Sequence, residues 1–274
     1  MDKKERLKIW ESLKTIPQGA IKASYIRDLK LFKGMAGICR DESGLAISFL
    51  HTGKKYPDDI FDTGLTYHYP ETDRKGSHDK NEIVSAKECF NLEIPIFIIL
   101  PGDEPKTRTV KLGWISDFDD NSKMFLVEFS EYQPETKRIN SSEVEEDFIP
   151  TMPRGSSRAS IKIRDNQAKF RLNLFKKYGS KCAVCNISNK YLLDAAHIIP
   201  VEKNGTDDWR NGLLLCKNHH VAFDRGLFKI KTNYLIEQAS KTSMDELQIL
   251  HSSIKTETGL YPHEKALAYK YKEE

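Results

Sequence analysis

The chain has 274 residues and a mass of 31.5 kDa, enough for one very large domain or two of ordinary size. With 39% hydrophobic and 10% aromatic residues it can bury real cores, which excludes disordered, collagen-like and coiled-coil classes. The net charge of +3 conceals an imbalance: residues 1–150 hold 22 Lys and Arg against 27 Asp and Glu, whereas residues 151–274 hold 21 against 13.

The apolar runs and the first residues of the chain indicate where in the cell the protein is located. The longest apolar run, residues 94–100, is far shorter than the ~20 residues of a membrane-spanning helix. The first residues are charged and lead into an amphipathic pattern, unlike a secretory signal. We therefore expect a cytoplasmic protein that does not bind membranes.

The first half predicts one helix followed by short strands. Residues 3–16 carry apolar side chains at helical spacing and predict an opening amphipathic helix. Four β-rich runs follow, at residues 45–50, 94–100, 110–115 and 124–129, each bounded by Gly, Pro, Asp or Asn. A helix at residues 79–90 interrupts them. Short strands of this kind predict a small barrel or a strongly curved sheet.

A specific residue order begins before the first of these runs and continues after it. Gly37 and Ile38 precede the run at 45–50, residues 52–64 read TGKKYPDDIFDTG, and residues 67–69 read YHY. Over roughly residues 33–90 this order resembles the SRA domain, a reader of modified cytosine. Residues 70–76, PETDRKG, replace the family's glycine-rich turn. The resemblance implies that residues 1–150 are an SRA-like (PUA-like) curved β-barrel with flanking helices.

The resemblance also implies a base-binding pocket. Such readers take one nucleotide out of the duplex and stack it between aromatic rings. Tyr56 and Tyr69 match the stacking positions, and Asp59 matches the carboxylate that accepts from the exocyclic amine of cytosine. The alternative is structural: the tyrosines are sheet aromatics, and the aspartates cap loops.

A basic stretch separates the two halves. Residues 150–160 are rich in Pro, Gly and Ser, so we place a linker at residues 151–165 and a second domain at residues 166–274. Residues 166–178 predict a helix that ends at Gly179. Residues 151–190 hold ten basic residues and one acidic residue, which indicates either a surface that neutralises phosphates or a solvated basic face.

Two pairs of metal-binding residues follow. The five cysteines are too few for a disulfide scaffold, but three of them lie in one stretch with histidines. Cys182 and Cys185 are three positions apart, and Cys216 and His219 repeat that spacing thirty residues later. Two such pairs suit a closed, tetrahedral structural zinc site. The alternative is ordinary buried cysteines beside surface histidines.

The residues between and after these pairs carry a second resemblance. Residues 191–200 read YLLDAAHIIP, residues 211–220 read NGLLLCKNHH, and residues 223–226 read FDRG. Over roughly residues 169–230 this order closely resembles the HNH endonucleases, whose fold is a ββα finger around a metal. It implies a zinc-supported ββα-metal HNH domain at the C-terminus and an α+β fold class for the whole chain.

The same resemblance assigns catalytic roles. Phosphodiester hydrolysis requires an activated water, and His197 is the predicted general base because imidazole titrates near neutrality. Asn211 occupies the position that holds this histidine in the family. His220 and Asp224 share a helix face and match the ligands of a catalytic Mg²⁺ or Mn²⁺. His219 then binds zinc, although the two adjacent histidines could exchange roles.

One position departs from the family pattern. Many HNH proteins have an Asp or His directly before the base histidine as another metal ligand, and this chain has Ala196. Asp194, two residues earlier, is either that ligand or a solvent-exposed or turn-capping carboxylate.

The sequence as a whole predicts a modification-dependent restriction endonuclease of bacterial defence. Its partner would be double-stranded DNA that carries modified cytosine. One finger cuts one strand, so a double-strand break requires a homodimer or two binding events. Two alternatives stay open: an HNH nuclease specific for an unmodified sequence, and a non-catalytic zinc-supported nucleic-acid-binding module. Residues 244–254 have helical apolar spacing and predict a further helix, either one that packs within the chain or one that makes a dimer contact.

Overall fold

The computed structural model describes residues 1–33, 37–51, 60–72, 75–134, 147–152 and 159–272, with side chains in the last range from residue 167 to residue 270. The described residues fall into two compact units. The N-terminal unit comprises Met1–Phe118 and Lys123–Arg138, and the C-terminal unit comprises Asp119–Ser122 and Ile139–Glu274. Helices and sheets occur in both, which confirms the α+β fold class. No helix in the described ranges is long and apolar enough to cross a membrane.

The N-terminal unit is built on an eight-stranded sheet. Its helices are α1 (Lys3–Leu13), α2 (Ala23–Asp28) and α3 (His78–Asn91). Its strands are β1 (Ile21–Lys22), β2 (Ile38–Arg40), β3 (Ala46–Leu50), β4 (Ile60–Phe61), β5 (Gly64–His68), β6 (Ile96–Pro101), β7 (Thr107–Asp119) and β8 (Met124–Phe129). The two predicted helices and the four predicted β-rich runs are confirmed, with β7 longer than expected.

The strand order corrects the predicted barrel. The sheet runs β2-β3-β6-β7-β8-β5-β4, with β1 beside β7, and its end strands β2 and β4 do not pair with each other in the described part of the chain. Strands β3 and β6 are parallel, and α3 lies between them in the chain. Helices cover both faces of the sheet, so the apolar strands are buried without closure into a barrel. Short end strands also leave little edge for unwanted pairing.

Apolar side chains fill both sides of this sheet. On one face, Trp10 and Leu13 of α1 pack in a cluster with Phe97 of β6. On the other face, Ala86 of α3 packs in a cluster with Phe125 of β8. A capping box at Asp2 and Glu5 starts α1 and satisfies backbone donors that would otherwise lack partners.

A buried cation joins α1 to the sheet. Arg6 is fully buried, and its guanidinium donates to the carbonyl oxygens of Ala46 at 2.7 Å and Pro95 at 2.8 Å. The same group lies 3.4 Å from the Asp41 carboxylate. Burial would raise the pKa of Asp41, but hydrogen bonds that include one from the Met1 ammonium lower it to about 2. The carboxylate therefore stays charged beside Arg6 at neutral pH.

The C-terminal unit contains the remaining elements. They are α4 (Ala159–Tyr178), β9 (Leu193–His197), β10 (Gly212–Cys216), α5 (Lys217–Asp224), β11 (Phe228–Ile230), β12 (Ile236–Gln238) and α6 (Glu264–Lys272). The β9–β10 hairpin is antiparallel, as is the β11–β12 hairpin. The helix predicted to end at Gly179 is confirmed, and it begins earlier than expected.

The helix predicted at residues 244–254 is wrong. This segment forms turns, and Gln248 has a positive φ of 53°, which interrupts a helix. Its backbone bonds to other segments instead, because Leu250 N–H donates to Val184 O at 3.1 Å and Lys255 N–H donates to Ala183 O at 2.8 Å. The apolar side chains of Ile249 and Ile254 are buried although the segment forms no helix.

Candidate active site and zinc centre

A ββα motif positions the predicted site residues. In the β9–β10 hairpin, Gly212 lies opposite His197, and Leu215 lies opposite Asp194. Strand β10 is buried throughout, and α5 begins at the next residue, Lys217. A buried strand that continues directly into a helix fixes where the side chains of that helix can reach.

Four side chains converge at the start of α5. The potential ligand atoms of this set all lie within 4.8 Å of one another, and its members are Cys182, Cys185, Cys216 and His219. His219 Nδ1 is 3.0 Å from Cys216 Sγ and 3.6 Å from Cys182 Sγ. His219 Nε2 donates to the carbonyl oxygen of Leu247 at 2.8 Å, so Nδ1 is the nitrogen that faces the sulfurs. Three thiols and one imidazole, all buried, fit a tetrahedral zinc ion.

The residues of this set shift the pKa values of one another. Hydrogen bonds with Cys182 and His219 lower the pKa of the Cys216 thiol, whereas the hydrogen bond to Cys216 and burial raise the pKa of Cys182. Burial would lower the pKa of His219, but the hydrogen bond to Cys216 and its charge raise it. The cluster therefore favours a thiolate at Cys216, the protonation state in which cysteine binds metal.

The second histidine of α5 has different neighbours. His220 Nδ1 lies 3.3 Å from Asp194 Oδ2, and His220 Nε2 lies 3.4 Å from Asp224 Oδ2. Burial would raise the pKa of Asp194, but hydrogen bonds from His220 and Lys217 and their charges lower it. Asp224 is 58% exposed, which leaves room for water and phosphate oxygens beside it. An imidazole with two carboxylates is a donor set that fits a divalent cation.

The predicted general base is held by two contacts. His197 Nε2 is 3.0 Å from Asp207 Oδ1, in the loop between β9 and β10. The imidazole stacks on the ring of Phe170 from α4, with centroids 4.0 Å apart and an interplanar angle of 13°. The side chain is 12% exposed, so solvent reaches it.

Asn211 holds the backbone next to His197 instead of the imidazole. It is fully buried, and its amide accepts from Ile199 N–H at 3.0 Å and donates to Ile199 O at 3.2 Å and to Thr206 O at 2.8 Å. Its own carbonyl oxygen accepts from Ile198 N–H at 2.9 Å. The side chain thus closes the loop that follows His197.

The residues predicted to read a base are only partly described. Tyr69 is 6% exposed and lies in the core of the N-terminal unit, with its ring centroid 4.5 Å from that of Phe125. Lys87 Nζ lies 5.7 Å from the Tyr69 ring centroid. Tyr56 and Asp59 lie outside the described residues, so their role in a pocket stays a prediction.

Three contacts of the C-terminal site are not indicated by the sequence. Asp207 lies in a polar loop without spacing that relates it to His197, and Phe170 lies on a separate helix. The Leu247 contact to His219 uses a backbone oxygen, which no residue type indicates. The acidic residues in the loop between β9 and β10 were the available sequence signal for the Asp207 contact, and they do not indicate that His197 is the partner.

The family comparison agrees with this geometry. The HNH endonuclease family matches residues 182–231, which include the zinc ligands, His197, His220 and Asp224. The C-terminal unit therefore contains an HNH endonuclease domain, and the protein is a metal-dependent DNA endonuclease.

Comparisons of the whole chain are more distant. No curated protein matches the sequence. Among solved structures, a modification-dependent TagI restriction endonuclease is 17% identical, with 94% of this chain and 92% of that chain covered and a TM-score of 0.38. The type IV phosphorothioation-dependent restriction endonuclease ScoMcrA is 14% identical, with 94% and 58% covered and a TM-score of 0.35.

Proposed function

We propose that the protein is a modification-dependent restriction endonuclease with a reader at residues 1–150 and a nuclease at residues 166–274. The reader captures a modified cytosine in double-stranded DNA, and the HNH site hydrolyses a phosphodiester nearby. The observation that carries the nuclease half is the placement of His197 and His220 on one ββα motif, each beside a carboxylate, next to a Cys₃His set that fits zinc.

His197 is the general base in this proposal. Its imidazole takes a proton from the water that attacks phosphorus, and the 3′ oxygen leaves. Asn211 keeps the backbone after His197 in place through its bonds to Ile199 and Thr206. His197 is therefore at the end of a strand, and the loop that follows it is held in place by Asn211.

His220 and Asp224 are the proposed ligands of the catalytic ion. The Nε2 atom of His220 faces Asp224, and its Nδ1–H donates to Asp194, which orients the ring. A bound Mg²⁺ or Mn²⁺ would stabilise negative charge on the phosphate and on the leaving oxygen. Asp194 is thus assigned as the partner that fixes the tautomer of His220.

Modified-cytosine reading is proposed for the N-terminal unit on its residue order, which resembles an SRA-like, PUA-like fold. Tyr56 and Tyr69 would stack on a flipped base, and Asp59 would accept from its exocyclic amine. A single HNH site cuts one strand, so a double-strand break is proposed to require two copies of the chain.

The nuclease half is tested by nicking of supercoiled plasmid that carries 5-methylcytosine, with Mg²⁺ or Mn²⁺. His197→Ala should slow nicking by about 10²- to 10⁴-fold, the usual contribution of a general base. His220→Ala should weaken binding of the catalytic ion, so that nicking requires a higher concentration of Mg²⁺ or Mn²⁺. Glu202→Gln is the matched control, because it removes one exposed charge from the same segment and should cut normally. A wild type that binds DNA and never cuts would favour a non-catalytic binding module.

The reading half is tested by binding to duplexes that differ only at one cytosine: unmodified, 5-methyl or 5-hydroxymethyl. Asp59→Ala should abolish the preference for modified DNA while basal nicking survives. Glu88→Gln, an exposed charge change on α3, is the control and should keep the preference. Equal binding of all three duplexes by the wild type would favour a nuclease specific for an unmodified sequence.

A further inference from the structure

A carboxylate outside the predicted site contacts the predicted base. We propose that Asp207 is a positioning residue for His197, which fixes the tautomer and the orientation of its imidazole. The importance of this role for cleavage rests on the proposed function of His197. The contact itself, Asp207 Oδ1 to His197 Nε2 at 3.0 Å, does not depend on that function.

The chemistry of the pair selects one tautomer. An ionised carboxylate only accepts hydrogen bonds, so His197 Nε2 carries the proton that it donates to Asp207. Within the described ranges, no second hydrogen bond to the imidazole of His197 occurs. Its Nδ1 atom is therefore the basic nitrogen, and it is the atom left to accept a proton from water.

A second contact fixes the plane of the ring. The imidazole is stacked on Phe170, nearly parallel to it. Gly212 lies directly opposite His197 in the hairpin, and a Cβ at this position would come within 2.6 Å of Phe170 Cζ. The absence of a side chain at Gly212 is what lets α4 bring Phe170 against the histidine. Stacking sets the plane, and Asp207 sets the rotation within that plane.

The loop that carries Asp207 is anchored on both sides. The Asn211 amide bonds to Ile199 O and Thr206 O, so the residue before Asp207 is tied to the residues after His197. Asp208, the residue after Asp207, accepts from the backbone N–H of Arg210 at 2.8 Å. The carboxylate of Asp207 thus reaches His197 from a restrained backbone, and a restrained partner can hold one ring orientation.

The pair also bears on the proton transfer. When Nδ1 accepts the proton of water, His197 becomes an imidazolium with both nitrogens protonated. The Asp207 carboxylate, already bonded to Nε2–H, stabilises the positive charge that forms and keeps its own negative charge. The same contact therefore orients the base before the step and stabilises it afterwards.

The direct test is the tautomer of His197 in the zinc-loaded full chain, without DNA. Nitrogen-15 NMR of ¹⁵N-histidine-labelled protein distinguishes the two neutral tautomers, and a His197→Gln spectrum assigns the signal. The wild type should show the Nε2–H form at slightly alkaline pH. Asp207→Ala should show a mixture of both forms, whereas Glu202→Gln, an exposed charge change in the same segment, should keep the wild-type signal. A wild-type signal in Asp207→Ala overturns the proposal.

Kinetics supply the second readout. Asp207→Ala should lower kcat for plasmid nicking by about 100-fold and leave KM within about twofold, because a misplaced base affects the chemical step more than DNA binding. Asp207→Glu should recover part of kcat. An unchanged kcat, or a loss confined to KM, overturns the role in cleavage. If His197→Ala cuts normally, the proposed base is wrong, and the NMR result still decides whether Asp207 positions the ring.

Discussion

The two units of this chain are organised by different interactions. In the N-terminal unit, apolar residues from many strands cover both faces of one sheet, and Phe97 and Phe125 are fully buried there. In the C-terminal unit, the Cys₃His set, His197 and His220 lie on a short ββα motif. An apolar core tolerates the replacement of one apolar side chain by another of similar size, whereas metal binding and proton transfer require particular atoms at particular distances. We therefore expect the two units to respond separately to substitution.

The largest effect is expected from loss of zinc. Cys182→Ser should remove the metal and unfold the C-terminal unit, because structural zinc contributes on the order of 10 kcal/mol to folding in small zinc modules. The N-terminal unit should still melt cooperatively. Zinc content by mass spectrometry and thermal unfolding check this.

Cys39→Ser is the matched control for zinc loss. Cys39 is buried in the core of the N-terminal unit and does not belong to the Cys₃His set, so this variant should keep one zinc per chain. One zinc per chain in Cys182→Ser would contradict the assignment of the centre.

The reverse experiment truncates a side chain in the sheet core. Phe97→Ala should destabilise the N-terminal unit by about 3–5 kcal/mol, since Phe97 is fully buried, and zinc content should not change. Urea unfolding measures the loss. Val84→Ala, at a 54% exposed position, should have an effect below about 0.5 kcal/mol. Zinc loss in Phe97→Ala would show that the units do not respond separately.

A smaller effect is expected where α4 meets the hairpin. In Gly212→Ala the added Cβ would lie 2.6 Å from Phe170 Cζ and 2.7 Å from Leu174 Cδ2. Overpacking of this kind costs about 1–3 kcal/mol. A second substitution, Phe170→Leu, should restore part of the stability, as measured by urea unfolding. Equal stability of Gly212→Ala and wild type would argue against close packing at this point.

The smallest effect concerns Asp41, whose carboxylate pairs with the Met1 ammonium and with Arg6. The pKa of Asp41 is lowered to about 2, so its stabilisation is complete above the unfolded-state pKa near 4 and is lost as pH falls toward 2. Asp41→Asn should therefore cost up to about 2 kcal/mol at pH 7 and much less at pH 2. Urea unfolding at the two pH values measures the difference, and a pH-independent cost would contradict the pairing.

Motifs that depend on residue type and spacing were the most predictable part of the molecule. The two pairs with C-x₂-C-like spacing indicated the Cys₃His set, and the structure brings all four residues together. The spacing of His220 and Asp224 likewise indicated a pair on one helix face. The two members of each pair are only three or four residues apart in the chain, so local sequence determines that they lie close together.

Features that depend on distant segments were not predictable. The Asp207 contact to His197 requires a loop closed by Asn211, and the open strand order requires a parallel pairing of β3 with β6. The helix expected at residues 244–254 is absent for the same reason, because the backbone of Leu250 bonds to Val184, which lies between Cys182 and Cys185 in the chain. The spacing of apolar residues indicates which side chains are buried, but it does not indicate which segment packs against them.

The proposed function is tested most directly by cleavage of three matched plasmids by the full chain, with cytosine that is unmodified, 5-methylated or 5-hydroxymethylated. Mg²⁺ or Mn²⁺ is present, and His197→Ala is assayed alongside. We expect the wild type to cut a modified plasmid only, and His197→Ala to cut it about 10²- to 10⁴-fold more slowly. Equal cutting of all three plasmids, or full activity in His197→Ala, would contradict it.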